Sequence, residues 1–229
     1  MEKYATESQF VKALVTGVKQ NPAQNLGEGI KIDTGISLLY AITFDDRGNL
    51  RVPLDDERRP KRGGGAGFQQ DILVFEEAPL SAEAPGAVRT SIVPRVIAEV
   101  KLGGVTTHAV ITYSEKARRI RAIYPFARYG LILGGVSKVP GRVLRLGQEF
   151  DFIVVLNNPP EESEIGALSD LLQEECQTSK DVARMLSGES NVTTLHRCLN
   201  TATPPSSSVP SHRTSTQLPS ARRPLSPIR

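Results

Sequence analysis

The chain has 229 residues, 39% of them hydrophobic, so it can bury one substantial core but is short for two ordinary domains. No apolar run approaches the ~18–20 residues of a membrane-spanning helix, and no apolar signal core follows the N-terminus, so we expect a soluble, cytoplasmic protein that does not bind membranes. Two cysteines and three histidines without metal-ligand spacing argue against a disulfide framework and against zinc.

Charge is distributed unevenly along the chain, although the net charge is only +3. Residues 91–145 contain ten basic and two acidic residues, whereas residues 161–189 contain eight acidic and two basic residues. A stretch as basic as the first favours a phosphate backbone as partner. A solvated basic face is the alternative interpretation.

The first part of the sequence alternates apolar segments with turn-forming residues. Apolar residues spaced by three and four from Phe10 to Val18 predict an N-terminal helix, which Asn21-Pro22 ends. A later glycine-rich loop lacks the GK[ST] ending of a phosphate-binding loop. The predicted elements are a helix at 2–19, a loop at 24–35, a strand at 36–44, a turn at 45–49, a short extended piece at 50–54 and a mobile loop at 55–67.

The second part predicts most of a mixed sheet. Its last helix is acidic and amphipathic, and its apolar stripe is typical of a helix that covers the core rather than one that binds a partner helix. The chain after Asn200 is rich in Pro, Ser, Thr and Arg, which predicts disorder. The predicted elements are strands at 68–75 and 91–102 joined by a connection at 77–90, a helix at 110–126, strands at 129–133, 141–146 and 150–156, and a helix at 161–187. This order indicates an α/β or α+β sandwich with a mixed central sheet.

One predicted strand carries an acid and a base near its end. Because side chains alternate between the faces of a strand, Val96, Ala98 and Val100 share a core face, while Glu99 and Lys101 share the other. A glycine pair follows directly. Charged groups in such a buried-type strand must be paired or must bind a metal.

Asp71 joins these residues if the strands at 68–76 and 93–101 pair as an antiparallel hairpin centred near residue 85. Asp71 then lies opposite Glu99, within ~5 Å. Two carboxylates that close need a cation between them, and Mg²⁺ prefers such ligands, with the Val100 carbonyl oxygen as another and Lys101 beside the attacking water. The alternative is a simple Glu99–Lys101 ion pair at the sheet end, with Asp71 as the first residue of its strand.

Asp71 followed by Glu99-Val100-Lys101 resembles the motif of the PD-(D/E)xK nuclease superfamily, over roughly residues 5–156, with Gln70 in place of the motif's proline. The resemblance implies a restriction-endonuclease-like three-layer core, with a central mixed sheet flanked by helices, in residues 1–158. A helical segment at 159–190 and a disordered tail at 191–229 would follow.

The resemblance also implies an activity, which is Mg²⁺- or Mn²⁺-dependent hydrolysis of DNA phosphodiester bonds. Asp71 and Glu99 would hold the metal, which activates water, and Lys101 would orient or deprotonate that water. A further acidic ligand would be either Glu7 in the first helix or Glu28 in the following loop. Whether the chain acts alone or as a homodimer stays open.

The predicted helix at 110–126 supplies candidate nucleic-acid contacts. Its apolar stripe consists of Tyr113, Ala117, Ile120 and Tyr124. The bases off this stripe are predicted to face outward and to contact the DNA backbone; they are Lys116, Arg118, Arg119 and Arg121. Thr112–Glu115 matches a capping box, so Glu115 is interpreted as a helix cap rather than a metal ligand. His108 is either a solvated loop residue or a contact of the scissile phosphate.

Two other functions remain open at this stage. The chain could be a non-catalytic nucleic-acid-binding protein on the same fold, or an interaction protein that acts through the acidic helix and the basic tail. A nuclease would depend on a metal ion, whereas the non-catalytic binding protein would not. Truncation after residue 158 would abolish the function of the interaction protein but would spare a nuclease core.

Overall fold

The computed structural model describes residues 3–21, 26–39, 43–44, 47, 50–51, 67–79 and 90–189. The helices are α1 (Glu7–Gln20), α2 (Thr107–Ile123), α3 (Gly141–Leu146) and α4 (Glu162–Leu186). The strands are β1 (Ile30–Asp33), β2 (Ser37–Leu39), β3 (Thr43–Phe44), β4 (Leu50–Arg51), β5 (Gly67–Gln69), β6 (Ile72–Pro79), β7 (Thr90–Leu102), β8 (Arg128–Gly134) and β9 (Phe152–Leu156). Several predicted elements lie outside the described residues: the loop at 55–67 apart from Gly67, the turn at 45–49 apart from Arg47, the connection at 77–90 over residues 80–89, and the tail at 191–229.

A five-stranded sheet with the order β1-β6-β7-β8-β9 forms the centre of the molecule. β6 is antiparallel to β1 and β7, whereas β7, β8 and β9 run parallel. One face, with Val96 and Val100, packs against α1 and α4, and the opposite face, with Ile97, packs against α2 and α3. The chain is therefore an α/β protein with a mixed central sheet flanked by helices, as predicted.

Helix α1 carries the predicted apolar stripe, and Phe10, Leu14 and Val18 are all buried. It begins at Glu7 rather than at residue 2, because the Thr6 hydroxyl accepts the N–H of Gln9 at 3.2 Å and so caps the helix. Its end at Asn21 agrees with the prediction. The N-terminal cap places Glu7 in the first turn.

Two predictions before β7 are wrong in their boundaries. The predicted loop at 24–35 contains β1, whose only fully buried residue is Ile32, so its apolar signal is weak. The predicted strand at 68–75 is two strands, and β5 pairs with β2 rather than joining the central sheet. The break occurs where Gln70 turns to exchange backbone hydrogen bonds with Gly35 and Ile36, both 2.9 Å long. Asp71 follows this break.

The end of β7 and the start of α2 form one edge of the sheet. β7 ends at Leu102, and Gly103 follows with a φ of +80°, a conformation that favours glycine. Helix α2 begins at Thr107 because the Thr106 hydroxyl accepts the Ala109 N–H at 3.2 Å. The predicted cap at Thr112–Glu115 is therefore wrong, and His108 lies in the first helical turn rather than in a loop.

The segment at 141–146, predicted as a strand, is helix α3. Only Val143 in this helix is fully buried, and Leu144 is 67% exposed. β8 and β9 are parallel, so the chain between them must return along the sheet, and a helix crossing is the usual connection. A short segment with apolar residues at 143, 144 and 146 does not distinguish these possibilities by periodicity alone.

Helix α4 packs on the core as predicted. Leu168, Leu172 and Cys176 are buried and belong to the same apolar cluster as Phe10 and Val100. The stripe therefore covers the sheet rather than facing a partner. Within the described part of the chain, every helix is too short or too polar to cross a bilayer.

Candidate functional site

Asp71 and Glu99 occupy neighbouring strand positions at one end of the central sheet. β6 and β7 pair Ile72 with Ala98 and Leu73 with Ile97, which is the predicted hairpin register and places Asp71 next to Glu99. Asp71 Oδ2 also accepts the N–H of Val100 at 2.9 Å. The register prediction is confirmed, and the Val100 amide, on the strand of Glu99, fixes the Asp71 carboxylate. The predicted contribution of the Val100 carbonyl oxygen stays a prediction.

Glu99 is buried, with 3% of its surface exposed, and its charge is compensated inside the protein. Its Oε1 accepts a hydrogen bond from the Nζ of Lys116 and another from the hydroxyl of Tyr129 at 2.9 Å. Lys116 Nζ donates as well to the carbonyl oxygen of Gln69 at 2.9 Å and lies 5.1 Å from the centre of the Phe68 ring. This network connects α2 to β5, β7 and β8.

The prediction that Lys116 faces outward is therefore wrong, because only 7% of its surface is exposed. The sequence contained the signal. Lys116 lies three residues after Tyr113 and four before Ile120, which places all three on the same side of a helix. A lysine on a buried helix face requires an anionic partner, and Glu99 is that partner.

Lys101 is held between the two helical layers. Its Nζ donates to both carboxylate oxygens of Glu7, at 2.8 and 2.9 Å, and lies 5.4 Å from the ring centre of Tyr113. Tyr113 was predicted only as a core residue. The side chains that determine the position of Lys101 therefore come from α1 and α2 rather than from its own strand.

The structure separates the two candidates for a further acidic ligand. Glu7 lies at the site, in contact with Lys101. Glu28 lies in the turn before β1, and the first residue of β1, Ile30, pairs with Glu76, five residues along the chain from Asp71. At ~3.3 Å per residue this pairing lies roughly 16 Å from Asp71. Glu28 is therefore too far away to complete the site.

The electrostatics of the site leave one negative charge in excess. Burial and the nearby charge of Glu99 raise the pKa of Asp71 from its ordinary value of 3.8 to about 6, although the Val100 N–H and Lys116 act in the opposite direction. Glu99 is paired with Lys116 and Glu7 with Lys101. Asp71 is the carboxylate in this group to which neither lysine is bound.

The proton donors at the site are held in defined charge states. Burial alone would lower the pKa of Lys101, but its hydrogen bonds to Glu7 and Tyr113 outweigh burial, and its pKa is raised. Burial and the charge of Glu99 raise the pKa of Tyr129 well above its usual range. Lys101 is therefore an ammonium ion and Tyr129 a neutral phenol at any pH near neutrality. Both can donate hydrogen bonds, and Lys101 cannot accept a proton from water.

The carboxylates at this site fit Mg²⁺ only in one coordination mode. Among the described residues, no three His, Cys, Asp or Glu side chains come together closely enough to hold a metal ion. Mg²⁺, however, is commonly held by one or two carboxylates, with water and substrate phosphate oxygens as its remaining ligands. Asp71 and Glu99 match that donor set, whereas Glu7 is engaged by Lys101. The described residues therefore do not form a site in which protein side chains alone surround the ion.

The other predicted contacts on α2 differ in their exposure. Arg118 and Arg119 face solvent, and both bind Glu115, at 2.8 and 2.7 Å. These two arginines lower the pKa of Glu115 to about 2. Glu115 lies inside α2 rather than at its start, so the prediction that it caps the helix is wrong. The prediction that Arg121 faces outward is wrong, because its side chain is only 15% exposed and binds Glu149 at 3.1 Å. His108 is exposed at the edge of the sheet that carries Lys101.

Comparisons of the chain with protein-family models, with curated proteins and with solved structures find no match. The chemistry of the site therefore has to be argued from its own geometry.

Proposed function

We propose that the chain is a Mg²⁺-dependent endonuclease that hydrolyses phosphodiester bonds in DNA, on a restriction-endonuclease-like form of the α/β sandwich. The observation that supports this most directly is the placement of Asp71 beside Glu99, with Lys101 two residues further along the same strand. Two carboxylates and an ammonium group at one sheet edge can hold a cation and a phosphate together.

Each side chain then has a distinct task. Asp71 and Glu99 hold the cation, which, when bound, polarises the phosphate and makes the attacking water more acidic. Lys101 is already protonated, so of its two predicted roles it orients the water and stabilises negative charge on the phosphate, and it does not act as the base. Glu7 holds Lys101 in position.

Lys116 and Tyr129 both donate hydrogen bonds to Glu99 and hold it in one orientation. A buried carboxylate without such partners would take up a proton and lose its ability to bind a cation. Both partners bond to Oε1, and Glu99 would hold the metal together with Asp71. The raised pKa of Asp71 is consistent with a site that has a place for one more cation.

The experiment is a plasmid-cleavage assay with Mg²⁺ or Mn²⁺ on the full chain and on three variants. Asp71→Asn and Lys101→Met are expected to lose at least 100-fold in rate, in line with the removal of one group that stabilises the transition state. Lys12→Met, an exposed lysine on α1, is the matched control and should cut at the wild-type rate. Uncut plasmid with the wild-type protein, or equal rates in all variants, would refute the proposal.

A second readout does not depend on cleavage. A ligand that binds only the folded state stabilises it by about 1.4 kcal/mol at ten times its dissociation constant. Mg²⁺ should therefore raise the thermal midpoint of the wild-type chain and have little effect on Asp71→Asn. An equal shift in both proteins would place the metal elsewhere.

A non-catalytic nucleic-acid-binding protein is the second candidate. It is favoured by the two internal ion pairs, which already neutralise Glu99 and Lys101. Such a protein would bind DNA with a strong salt dependence, would not respond to Mg²⁺, and would be unaffected by Asp71→Asn. Wild-type DNA binding without any cleavage would select this candidate.

A further inference from the structure

The two helical layers of the molecule carry opposite charge. Helix α4, on one face of the sheet, contains six acidic and two basic residues. The exposed cations of the opposite layer, which we call the α2–α3 surface, are Arg118, Arg119, Lys138, Arg142 and Arg145. Two partly exposed acids lie beside them, Glu115 and Glu149, with 40% and 36% of their side chains accessible. The charge asymmetry of the sequence is therefore a difference between two faces of one fold.

The α2–α3 surface is continuous because the two helices pack together. Val143 points into the core between α3 and the sheet, which leaves Arg142 and Arg145 exposed on the outer side of α3. The ion pair between Arg121 and Glu149, 3.1 Å long, connects the end of α2 to the chain just after α3. Arg118 and Arg119 are 62% and 50% exposed on the neighbouring helix.

The same surface reaches the edge of the sheet that carries Lys101. β7 and β8 are parallel, Lys101 is paired with Leu133, and the N–H of Gly103 donates to the carbonyl oxygen of Gly134 at 2.7 Å. The carboxyl ends of both strands therefore lie at one edge. The chain leaves β8 at this edge and passes through Lys138 into α3. Lys138 is therefore an exposed cation in the segment between this edge and the arginines of α3.

We propose that the α2–α3 surface binds the phosphate backbone of nucleic acid and directs it towards Lys101, while the acidic α4 layer disfavours binding on the opposite face. The identity of the ligand rests on the proposed function. Lys138, Arg142 and Arg145 are the added contacts, and Lys116, which is buried, is not one of them. An excess of exposed cations on one face, with a net negative charge on the opposite face, fixes the side from which a polyanion approaches.

The test measures binding of a short duplex DNA by fluorescence anisotropy in EDTA, so that no cleavage is needed. The variant is Arg142→Gln/Arg145→Gln, and the matched control is Lys12→Gln/Lys19→Gln, which removes two exposed cations from α1 in the other layer. Each lost phosphate contact should reduce the slope of log K against log salt by ~0.9, so the variant should lose about 1.8 in slope. At about 0.1 M salt this corresponds to an affinity loss of tens of fold.

The control pair should bind DNA like the wild type, and both variants should keep the wild-type circular dichroism and thermal midpoint, since every changed side chain is exposed. Equal losses in both pairs, no loss in either, or a wild-type protein that does not bind at low salt would each overturn the proposal. If Arg142→Gln/Arg145→Gln binds normally while the wild type still cleaves plasmid, the surface assignment fails and the nuclease proposal stands. A dimer that Leu144→Ser converts to a monomer, with DNA binding unchanged in the arginine variant, would instead make this layer an interface between two copies of the chain.

Discussion

Replacing Lys116 with methionine should destabilise the protein far more than replacing a neighbouring exposed base. Methionine fills most of the space of the lysine stem, so the change removes charge with little loss of volume. The Lys116 and Glu99 side chains are 7% and 4% exposed, so the substitution leaves a buried carboxylate without its cation. Breaking a buried pair from one side costs about 3–5 kcal/mol. The hydroxyl of Tyr129 still donates to Glu99, which puts the expected loss at the lower end, ~3 kcal/mol.

Urea denaturation followed by circular dichroism measures this loss. With a slope of about 2 kcal/mol per molar urea, a loss of ~3 kcal/mol lowers the midpoint by roughly 1.5 M. Arg118→Met is the matched control on the same helix, since Arg118 is 62% exposed and paired at the surface with Glu115. Its stability should change by less than ~0.5 kcal/mol.

The double variant Lys116→Met/Glu99→Leu separates the lost pair from other effects. Replacing both members of a buried ion pair with apolar residues is often neutral, so the double variant should recover part of the stability that Lys116→Met loses. The free hydroxyl of Tyr129 would limit this recovery by about 1–3 kcal/mol, because a buried donor is left without an acceptor. If Lys116→Met costs less than ~1 kcal/mol, or if the double variant is less stable than Lys116→Met, the pair does not hold Glu99 as argued.

The remaining predictions concern Asp71, Tyr129 and α4. The pKa of Asp71 is raised from 3.8 to about 6, so ionisation of this carboxyl opposes folding. This destabilisation is absent below about pH 4, grows between pH 4 and 6, and is complete above pH 6. Asp71→Asn should therefore stabilise the protein by up to ~3 kcal/mol at pH 8 and change little at pH 4 in urea titrations, and an equal effect at both pH values would contradict this. Tyr129→Phe should lower the free energy of unfolding by about 1.5–3 kcal/mol, because it removes a hydrogen bond to a charged group. A thermal midpoint like that of the wild type would show that Glu99 does not depend on this bond. Truncation after residue 158 removes the buried side chains of Leu168 and Leu172, each contributing ~1.5–3 kcal/mol. The truncated protein should therefore lack a cooperative unfolding transition. A sharp transition would show that the core folds without α4.

The sequence was sufficient for Asp71, Glu99 and Lys101 because their placement depends on strand geometry. Alternation at period two puts Glu99 and Lys101 on one face, and the symmetry of a hairpin sets the position of Asp71 across from them. Both arguments use only distances along the chain. Helix α1 was predicted for the same reason, since its stripe has a regular period and its end is marked by Asn21-Pro22.

What the sequence could not provide are the contacts between elements that are distant in the chain. Lys116 was interpreted as solvent-exposed because lysine usually is, and only the packing of α2 onto β7 brings it to Glu99. Helix α3 was predicted as a strand because six residues are too few to establish a helical period, and the parallel pairing of β8 and β9 that requires a crossing is a tertiary fact. Glu7 and Glu28 looked equivalent until the pairing of β1 placed Glu28 at the far end of β6.

The side chains at the sheet edge also differ in how far their charges are compensated within the fold. Glu99 with Lys116, and Lys101 with Glu7, are each neutral pairs, so neither pair leaves an uncompensated charge at the site. Asp71 has no cation of its own, and its raised pKa measures what its charge costs the fold near neutral pH. A divalent cation held by Asp71 and Glu99 would remove that penalty. The predicted alternative, an ion pair between Glu99 and Lys101, is wrong, because Glu99 pairs with Lys116 and Lys101 pairs with Glu7. The uncompensated charge of Asp71 is thus the feature that favours a binding site over a purely structural arrangement, and Mg²⁺-dependent stability of the wild type against Asp71→Asn is its direct measure.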